Sequence, residues 1–177
     1  NNGAIASQIN RRPTSDVNTD TSFPTAGDLF LETDVLLVEE GSQILVQSLN
    51  GQAGNIDIGA SRIQLNDGVI SAATDRNIQA DADSARITLR QLDLLLLETN
   101  SAISARATGR ADGGNIDINA SNGVIVAPSF NNSDIIAIAN QGRGGEINIT
   151  VDQLFGFTVQ DSPEGLDNNL TNDISAS

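Results

Sequence analysis

Two aspartates, Asp57 and Asp117, stand at the same place in two Gly-Asn-Ile-Asp-Ile segments and are the residues best suited to acid–base chemistry. A pair of carboxylates can protonate a glycosidic oxygen and activate water, as polysaccharide-cleaving enzymes do. Arg86 is the only cation near this row, and neither lysine nor histidine occurs to assist. We therefore predict no catalytic residues and no enzyme activity, with polysaccharide binding or cleavage as the alternative.

The composition excludes most other chemistry. The 177 residues include 23 Asp and Glu against nine Lys and Arg, a net charge of −14, and contain no Cys or His. Thiolate nucleophiles, imidazole bases and Cys/His zinc sites are thereby ruled out. Nucleic-acid binding is not expected, because so anionic a chain cannot displace the counterions of DNA or RNA. We predict no cofactor and no metal-binding residues, and a weakly held, oxygen-ligated calcium ion is the one metal left open.

No targeting or membrane segment is recognisable. No run approaches the ~20 apolar residues of a membrane-spanning helix, and none resembles a signal peptide. The first five residues, Asn-Asn-Gly-Ala-Ile, read as the middle of a pattern. We expect the chain to be a segment of a longer protein.

A short block recurs along the chain: a small residue, a polar residue and then alternating apolar positions. Its copies start 27 to 31 residues apart, at Gly27, Gly54, Ala85, Gly114 and Gly145. A second alternation follows in each period at Leu36/Val38, Ile63/Leu65, Leu94/Leu96, Val124/Val126 and Leu154. A third follows at Ile44/Val46, Ile70/Ala72, Ile103/Ala105, Ile136/Ile138 and Ile174/Ala176. Each stretch is bounded by Gly, Asn, Asp or Ser, which is typical of short strands.

Three strands in each of five periods predict an all-β fold: a right-handed, single-stranded parallel β-helix of about five coils of roughly 30 residues. Corresponding strands would form three sheets around aliphatic columns, with Gly and Asn at the corners because both tolerate left-handed backbone angles. The predicted divisions are a first incomplete coil and covering segment, 1–26, and the repeats 27–53, 54–84, 85–113, 114–144 and 145–177. An antiparallel sandwich is the alternative, although it does not predict a repeat that keeps its phase.

Strict alternation would place some side chains on the outside. The apolar ones are Phe30, Leu37 and Leu95. We expect residues 11–26 to fold over part of the first coil, with Phe23 covering apolar surface; an exposed patch used in assembly is the alternative. Two polar rows are expected, the first made of Asp28, Asn55, Arg86, Asn115 and Glu146, and the second of Asp57, Thr88, Asp117 and Asn148. We interpret them as the hydrated face of a sheet, with sugar or calcium binding as the alternative.

The corner between the second and third strands lengthens along the chain, from residues 66–68 through 127–133 to 158–172. Asp161, Glu164 and Asp167 lie in the longest of these corners. We interpret it as a solvated acidic excursion, with a recognition or cation-binding loop as the alternative.

The last third of the chain contains a distinctive succession of segments. They are Gly-Gly-Asn-Ile-Asp-Ile (113–118), Val-Ile-Val-Ala-Pro-Ser (124–129), Asn-Ser-Asp-Ile-Ile-Ala (132–137), Gly-Arg-Gly-Gly-Glu-Ile-Asn-Ile (142–149), Leu-Phe-Gly (154–156) and Asn-Asp-Ile-Ser-Ala-Ser (172–177). This succession resembles the C-terminal repeats of large cyanobacterial exoproteins of the filamentous-haemagglutinin type. The likeness is looser over 27–105 and absent from 11–25.

The resemblance implies secretion through an outer-membrane transporter of the two-partner-secretion type, and display at, or release from, the cell surface. We accordingly expect a non-enzymatic segment of an adhesin or extracellular filament. Its expected partners are that transporter and a surface polysaccharide or a ligand on a host or neighbouring cell. End-to-end self-association is a further expectation, because both ends of a β-helix expose unpaired strand edges.

Overall fold

A computed structural model describes residues 4–9, 26–48, 51, 53–76, 85–161 and 169–176. Within these ranges the chain forms 14 strands and no helix, so none of the described residues provides a helix long and apolar enough to cross a membrane. The first seven strands are β1 (Ala4–Ile9), β2 (Leu29–Glu39), β3 (Gln43–Ser48), β4 (Ile56–Asn66), β5 (Val69–Arg76), β6 (Arg86–Arg90) and β7 (Leu94–Glu98). The others are β8 (Ala102–Ser104), β9 (Ala107–Gly109), β10 (Asn115–Val126), β11 (Asp134–Ile136), β12 (Ile147–Phe155), β13 (Thr158–Gln160) and β14 (Asp173–Ser175).

The strands stack as a parallel β-solenoid of about four turns of roughly 30 residues. One sheet has the order β1-β3-β5-β8-β11-β14-β13, with β9 beside β5. The other has the order β12-β10-β6-β4-β2, with β7 beside β4 and β10. We number the turns by their first strand: coils 1 to 4 start at β2, β4, β6 and β10, and β12 starts an incomplete coil 5. The predicted parallel solenoid is confirmed, with about four turns instead of five.

The fifth repeat does not close a regular turn because its last two strands exchange places. Strand β14, although later in the chain, lies between β11 of coil 4 and β13. Ile174 of β14 is accordingly in register with Ile135 on one side and Val159 on the other. The predicted long corner 158–172 therefore begins as a strand.

Two hydrogen-bonded sheets replace the three that were predicted. In coils 1, 2, 4 and 5 the first and second predicted strands run on as one long strand, which we divide into a first half and a second half. Only in coil 3 are the halves separate strands, β6 and β7, and there Gln91 adopts a positive φ of 64°. Every turn thus presents two outer surfaces on this sheet, one for each half.

Aliphatic columns fill the inside of the tube. The longest runs through the first sheet in register as Ile5, Ile44, Ile70, Ile103, Ile135, Ile174 and Val159. Its middle members are buried, but Ile5 is 54% exposed and Val159 is 72% exposed. The apolar column therefore ends on exposed side chains at both ends of the described stack.

Three inward positions predicted from the sequence are out of phase by one residue. Leu95 is in register with Ile63, Ile125 with Leu154, and Ile135 with Ile103. Leu95, Ile125 and Ile135 are all buried, so they are the inward residues of their strands. The predicted inward pairs Leu94/Leu96 and Val124/Val126 are therefore wrong, as is the outward Leu95. Ile136 and Ile138 are buried as predicted, but they form a separate cluster one residue out of register with the inward column. In each case the apolar run is unbroken, so the sequence contains no polar residue to set the phase.

The corners depend on two different backbone properties. The corner before the third strand uses left-handed residues, including Asp67, Asn100 and Asn132 with φ of 49° to 54°, which supports the prediction of Asn-type corners. Glycine recurs at the start of a coil for another reason. A Cβ at Gly145 would lie 1.8 Å from the carbonyl oxygen of Gly114 in the coil before it. Close backbone stacking, not a left-handed angle, excludes a side chain there.

Candidate functional site

The first halves of the long strands carry a ladder of charged side chains on their outer surface, which we call the ion-pair face. Arg90 of coil 3 donates from Nε to Asp57 Oδ1 of coil 2 at 2.7 Å, and its Nη2 pairs with Glu32 of coil 1. Arg86 of coil 3 pairs in the other direction with Asp117 of coil 4. These contacts join four successive coils through side chains alone.

Arg90 can span three coils because Gly59, the residue in register between Arg90 and Glu32, has no side chain. A Cβ at Gly59 would lie 2.2 Å from Glu32 Oε2 and 2.8 Å from Arg90 Nη1. The pKa of the Arg90 guanidinium is raised above its ordinary value. The hydrogen bond to Glu32 is the largest cause and the hydrogen bond to Asp57 is the next, whereas desolvation has a smaller effect in the opposite direction. Arg90 therefore remains a cation wherever the chain is folded.

The candidate acid–base pair is part of this ladder. Asp57 accepts from Arg90, and Asp117 accepts from Arg86 and from Asn148 Nδ2 at 3.2 Å. The register confirms the predicted row, because Asp57, Thr88, Asp117 and Asn148 are successive partners. Both aspartates thus hydrogen-bond to residues of neighbouring coils.

The other predicted row has a structural function at the start of each coil. Side-chain oxygens of Asp28 and Asn55 accept hydrogen bonds from the backbone N–H one coil later, at 2.7 and 2.9 Å. Asn115 repeats the contact with the N–H of Glu146 at 2.9 Å. Arg86 interrupts this series, and there the N–H of Asn115 donates to the carbonyl of Ala85 instead. The recurring Asn therefore links coils.

A second polar ladder runs inside the corner before the third strand, and sequence reasoning missed it. The N–H of Gly68 donates to Ser101 Oγ at 3.2 Å, and the N–H of Ser101 donates to Ser133 Oγ at 3.3 Å. The N–H of Ser133 then donates to Asn172 Oδ1 at 2.8 Å. The signal was available, because each of these side chains stands two residues before an inward isoleucine, Ile103, Ile135 or Ile174.

Asn172 also anchors the displaced strand β14. Its buried Nδ2 donates to the carbonyls of Ala127, Pro128 and Gly156 at 2.8 to 3.3 Å. Next to it, the buried Asp173 accepts from Gln160, Asn169 and Thr171. Buried polar groups without partners are costly, and these partners explain how an Asn-Asp pair can enter the sheet.

The predicted loops are only partly within the described residues. In the corner 127–133, Ser133 is a member of the buried ladder and Phe130 is exposed. In the corner 158–172, Asp161 is exposed, whereas Glu164 and Asp167 lie outside the described residues. Across the part of the chain that the structure describes, no three carboxylates cluster where they could hold a metal ion.

The outward side chains on the second halves of the long strands are mostly apolar. Two rows of five of these outward side chains form what we call the apolar face: Val35, Arg62, Leu94, Val124 and Gln153, and Leu37, Gln64, Leu96, Val126 and Phe155. Seven of the ten are apolar, none is a carboxylate, and Arg62 is the only charge. Val35, Leu37 and Phe155 are each more than half exposed. The next outward row, Glu39, Asn66 and Glu98, borders this face, and Glu98 accepts from Gln64 Nε2 at 3.0 Å.

One member of this face was predicted. Leu37 points outward and is 54% exposed, as expected from strict alternation, and so is Phe30 of the ion-pair face, at 73%. The segment predicted to cover them, 11–26, lies outside the described residues except for Ala26. The larger part, Leu94, Leu96 and Val124 with their neighbours, was assigned to the core through the phase error described above.

No protein-family model, curated protein or solved structure matches this chain at a significant level.

Proposed function

We propose that the chain is a non-enzymatic segment of a secreted solenoid filament that serves adhesion or extracellular structure at the cell surface. One observation carries the proposal: the polar side chains best suited to chemistry are hydrogen-bonded between successive coils. Asp57 and Asp117, the two acid–base candidates, both pair with arginines of a neighbouring coil, coil 3. Groups held in this way build a long stack rather than a reaction centre.

The ends of the stack support a filament. The inward column ends on the exposed Ile5 and Val159, and each end presents the edge strand of both sheets, β1 with β2 and β13 with β12, each of which pairs on one side only within the described residues. Further coils, or the end of another copy, would bury both side chains and pair both edges. A solenoid can lengthen in this way without changing its cross-section.

The route to the surface rests on the resemblance of residues 113–177 to filamentous-haemagglutinin-type exoproteins. Under this proposal an outer-membrane transporter of the two-partner-secretion type exports the chain, which then meets a surface polysaccharide or a ligand on another cell. The acidic surface is compatible with an extracellular life, because a net charge of −14 keeps the chain soluble.

Antibodies raised against the purified chain test the location. We expect them to label intact cells of the species that makes the protein, and external protease to remove the label. A cytoplasmic marker should stay unlabelled until the cells are permeabilised. Labelling that appears only after permeabilisation would contradict the proposal.

Absence of catalysis is tested with the purified chain and a set of acidic and neutral polysaccharides. We expect no turnover above that of the Asp117→Asn variant, with circular dichroism to show that the variant is folded. Turnover that Asp117→Asn abolishes would overturn the non-enzymatic proposal.

A second candidate function, polysaccharide binding, is favoured by the position of Phe30. Its ring is 73% exposed and in register with Asp57 at the edge of the ion-pair face. An exposed aromatic ring beside carboxylates and amides can stack on a sugar while the polar groups accept its hydroxyls. If this is the function, Phe30→Ala weakens binding to a glycan array, whereas Phe130→Ala, which removes an equally exposed ring from a corner, does not.

A further inference from the structure

The two sheets end at different heights beside coil 5. By register β14 is the third strand of coil 5, because Ile174 continues the inward column from Ile135 of coil 4. Strand β13 lies one step beyond β14. In the second sheet the described strands end with β12 of coil 5. The first sheet is therefore one strand longer than the second at this end, and β13 is the extra strand.

The extra strand lies where the third strand of a sixth coil would pair. In coils 2, 3 and 4 the third strand, β5, β8 or β11, pairs in parallel with the third strand of the coil before it. A sixth coil built in the same way would pair with β14 and place its inward side chain on Ile174. Val159 already occupies that position. Because β13 precedes β14 in the chain, it belongs to the corner of coil 5 and not to a further turn.

Three printed contacts hold this corner segment on β14. At its start, Asn172 Nδ2 donates to the carbonyl oxygen of Gly156 at 3.0 Å. In its middle, the N–H of Thr158 donates to the carbonyl oxygen of Asn172 at 2.8 Å. At its end, Gln160 Nε2 donates to Asp173 Oδ1 at 3.2 Å. Both backbone and side chains therefore fix the segment at the edge of β14.

The turn that leads into the segment requires glycine. Gly156 has a φ of 84°, and a Cβ there would overlap the carbonyl oxygen of Ala127. The next residue, Phe157, is half-buried and packs against the core. Ile174, which is in register with Val159, is only 9% exposed. The segment therefore covers the end of the core that coil 5 would otherwise leave open.

We propose that residues 156–161 are an internal cap on the edge at which the stack would lengthen. The outer edge of β14 is the surface that the third strand of a further coil would join, and β13 occupies it. Strand β13 is a poor site for addition, because it has three residues and the exposed Asp161 follows it. Short edge strands and charges at an edge discourage pairing with other strands. Lengthening at this end therefore requires β13 to leave β14.

A double variant releases the cap. Thr158→Pro removes the N–H that donates to Asn172. Gln160→Ala, made in the same chain, removes the side-chain bond to Asp173. Val159→Pro is the matched control, because N–H groups alternate along a strand and that of Val159 points away from β14, where proline is tolerated. Circular dichroism shows that the variants are folded.

Hydrogen exchange of one backbone group reports on the edge itself. The N–H of Asp173 points to coil 4, where it donates to Asp134 Oδ1, so the next N–H, that of Ile174, faces β13. At low protein concentration we expect the Ile174 N–H to exchange at least about tenfold faster in the double variant than in the wild type. The N–H of Ile103, in the middle of the first sheet, is the reference and should not change.

A second copy takes the place of the further coil when the concentration is raised. We expect the weight-average mass of the double variant to rise above that of the wild type and of Val159→Pro, toward that of two chains. The Ile174 N–H should become protected again, because the freed edge of one copy pairs with the freed edge of another. Sedimentation equilibrium and hydrogen exchange at the same concentrations measure both effects.

Three results would overturn the cap. The first is fast Ile174 exchange in a double variant that keeps the mass of the wild type, since an open edge would then add nothing. The second is a rise in mass while Ile174 still exchanges fast, which would place the contact elsewhere. The third is Ile174 exchange that the substitutions leave unchanged, which would contradict the pairing of β13 with β14. The cap rests on the proposed filament for its role, but these measurements use no cells, so the cap and the surface location can fail separately.

Discussion

The two halves of the long strands differ in what their outward side chains contact. On the ion-pair face, Arg90 bonds to Asp57 and Glu32, and Arg86 bonds to Asp117. On the apolar face the same strands present mainly leucines and valines, and its Gln64 donates from Nε2 to Glu98 Oε2 at 3.0 Å. The comparison teaches that charged side chains link the coils on the ion-pair face, whereas the described residues of the apolar face form no ion pair.

The largest expected effect tests the register that creates the apolar face. Leu95→Ala should lower the free energy of unfolding by about 2–5 kcal/mol, because it leaves a cavity in the inward column. Leu96→Ala, one residue later and outward, should change it by roughly 0.5 kcal/mol or less. Urea unfolding at low protein concentration measures both. Equal losses would contradict the observed phase of β7.

A smaller effect is expected on the ion-pair face. Arg90→Gln removes the cation between Asp57 and Glu32, so the midpoint of urea unfolding should fall at low ionic strength. The difference from the wild type should shrink near 1 M salt, where the screening length is only about 3 Å. Arg62→Gln, which removes an arginine from the apolar face, is the control and should lack this salt dependence. A loss for Arg90→Gln that is independent of salt would argue against an ion-pair role.

The smallest effect concerns the gap through which Arg90 reaches Glu32. A methyl group at Gly59 meets only the ends of two flexible side chains, so Gly59→Ala should change the free energy of unfolding by about 0.5 kcal/mol or less. Gly145→Ala should cost more, because its methyl group meets the backbone of Gly114. Thermal unfolding compares the two. An equal loss would show that the ion-pair ladder is rigid.

Much of the fold was predictable because the repeat carries it. The inward Ile56, Ile87 and Ile116 lie in register one coil apart, as the recurring segments predict. The polar rows followed from the same phase. Where polar residues interrupt an alternation, the inward and outward positions can be assigned from the sequence.

The rest could not be predicted because local patterns left it undetermined. The unbroken run Leu94–Leu97 can face either way, and only its pairing with Ile63 and Leu65 settles the phase. The insertion of β14 between β11 and β13 depends on Asn172, whose amide reaches three carbonyls that are distant in sequence. The apolar face was hidden for the first of these reasons. The buried ladder of Ser101, Ser133 and Asn172 was missed although it had a sequence signal, because each of its side chains stands two residues before an inward isoleucine.

The central claim is that the ion pairs of Arg90 and Arg86 join successive coils of one stack. The most direct test is the midpoint of urea unfolding of the wild-type chain and of a double variant, Arg86→Gln with Arg90→Gln, measured from low salt to about 1 M salt. We predict that the two midpoints differ at low salt and converge as salt is raised, because salt screens contacts between ions. A difference that does not change with salt would contradict the claim.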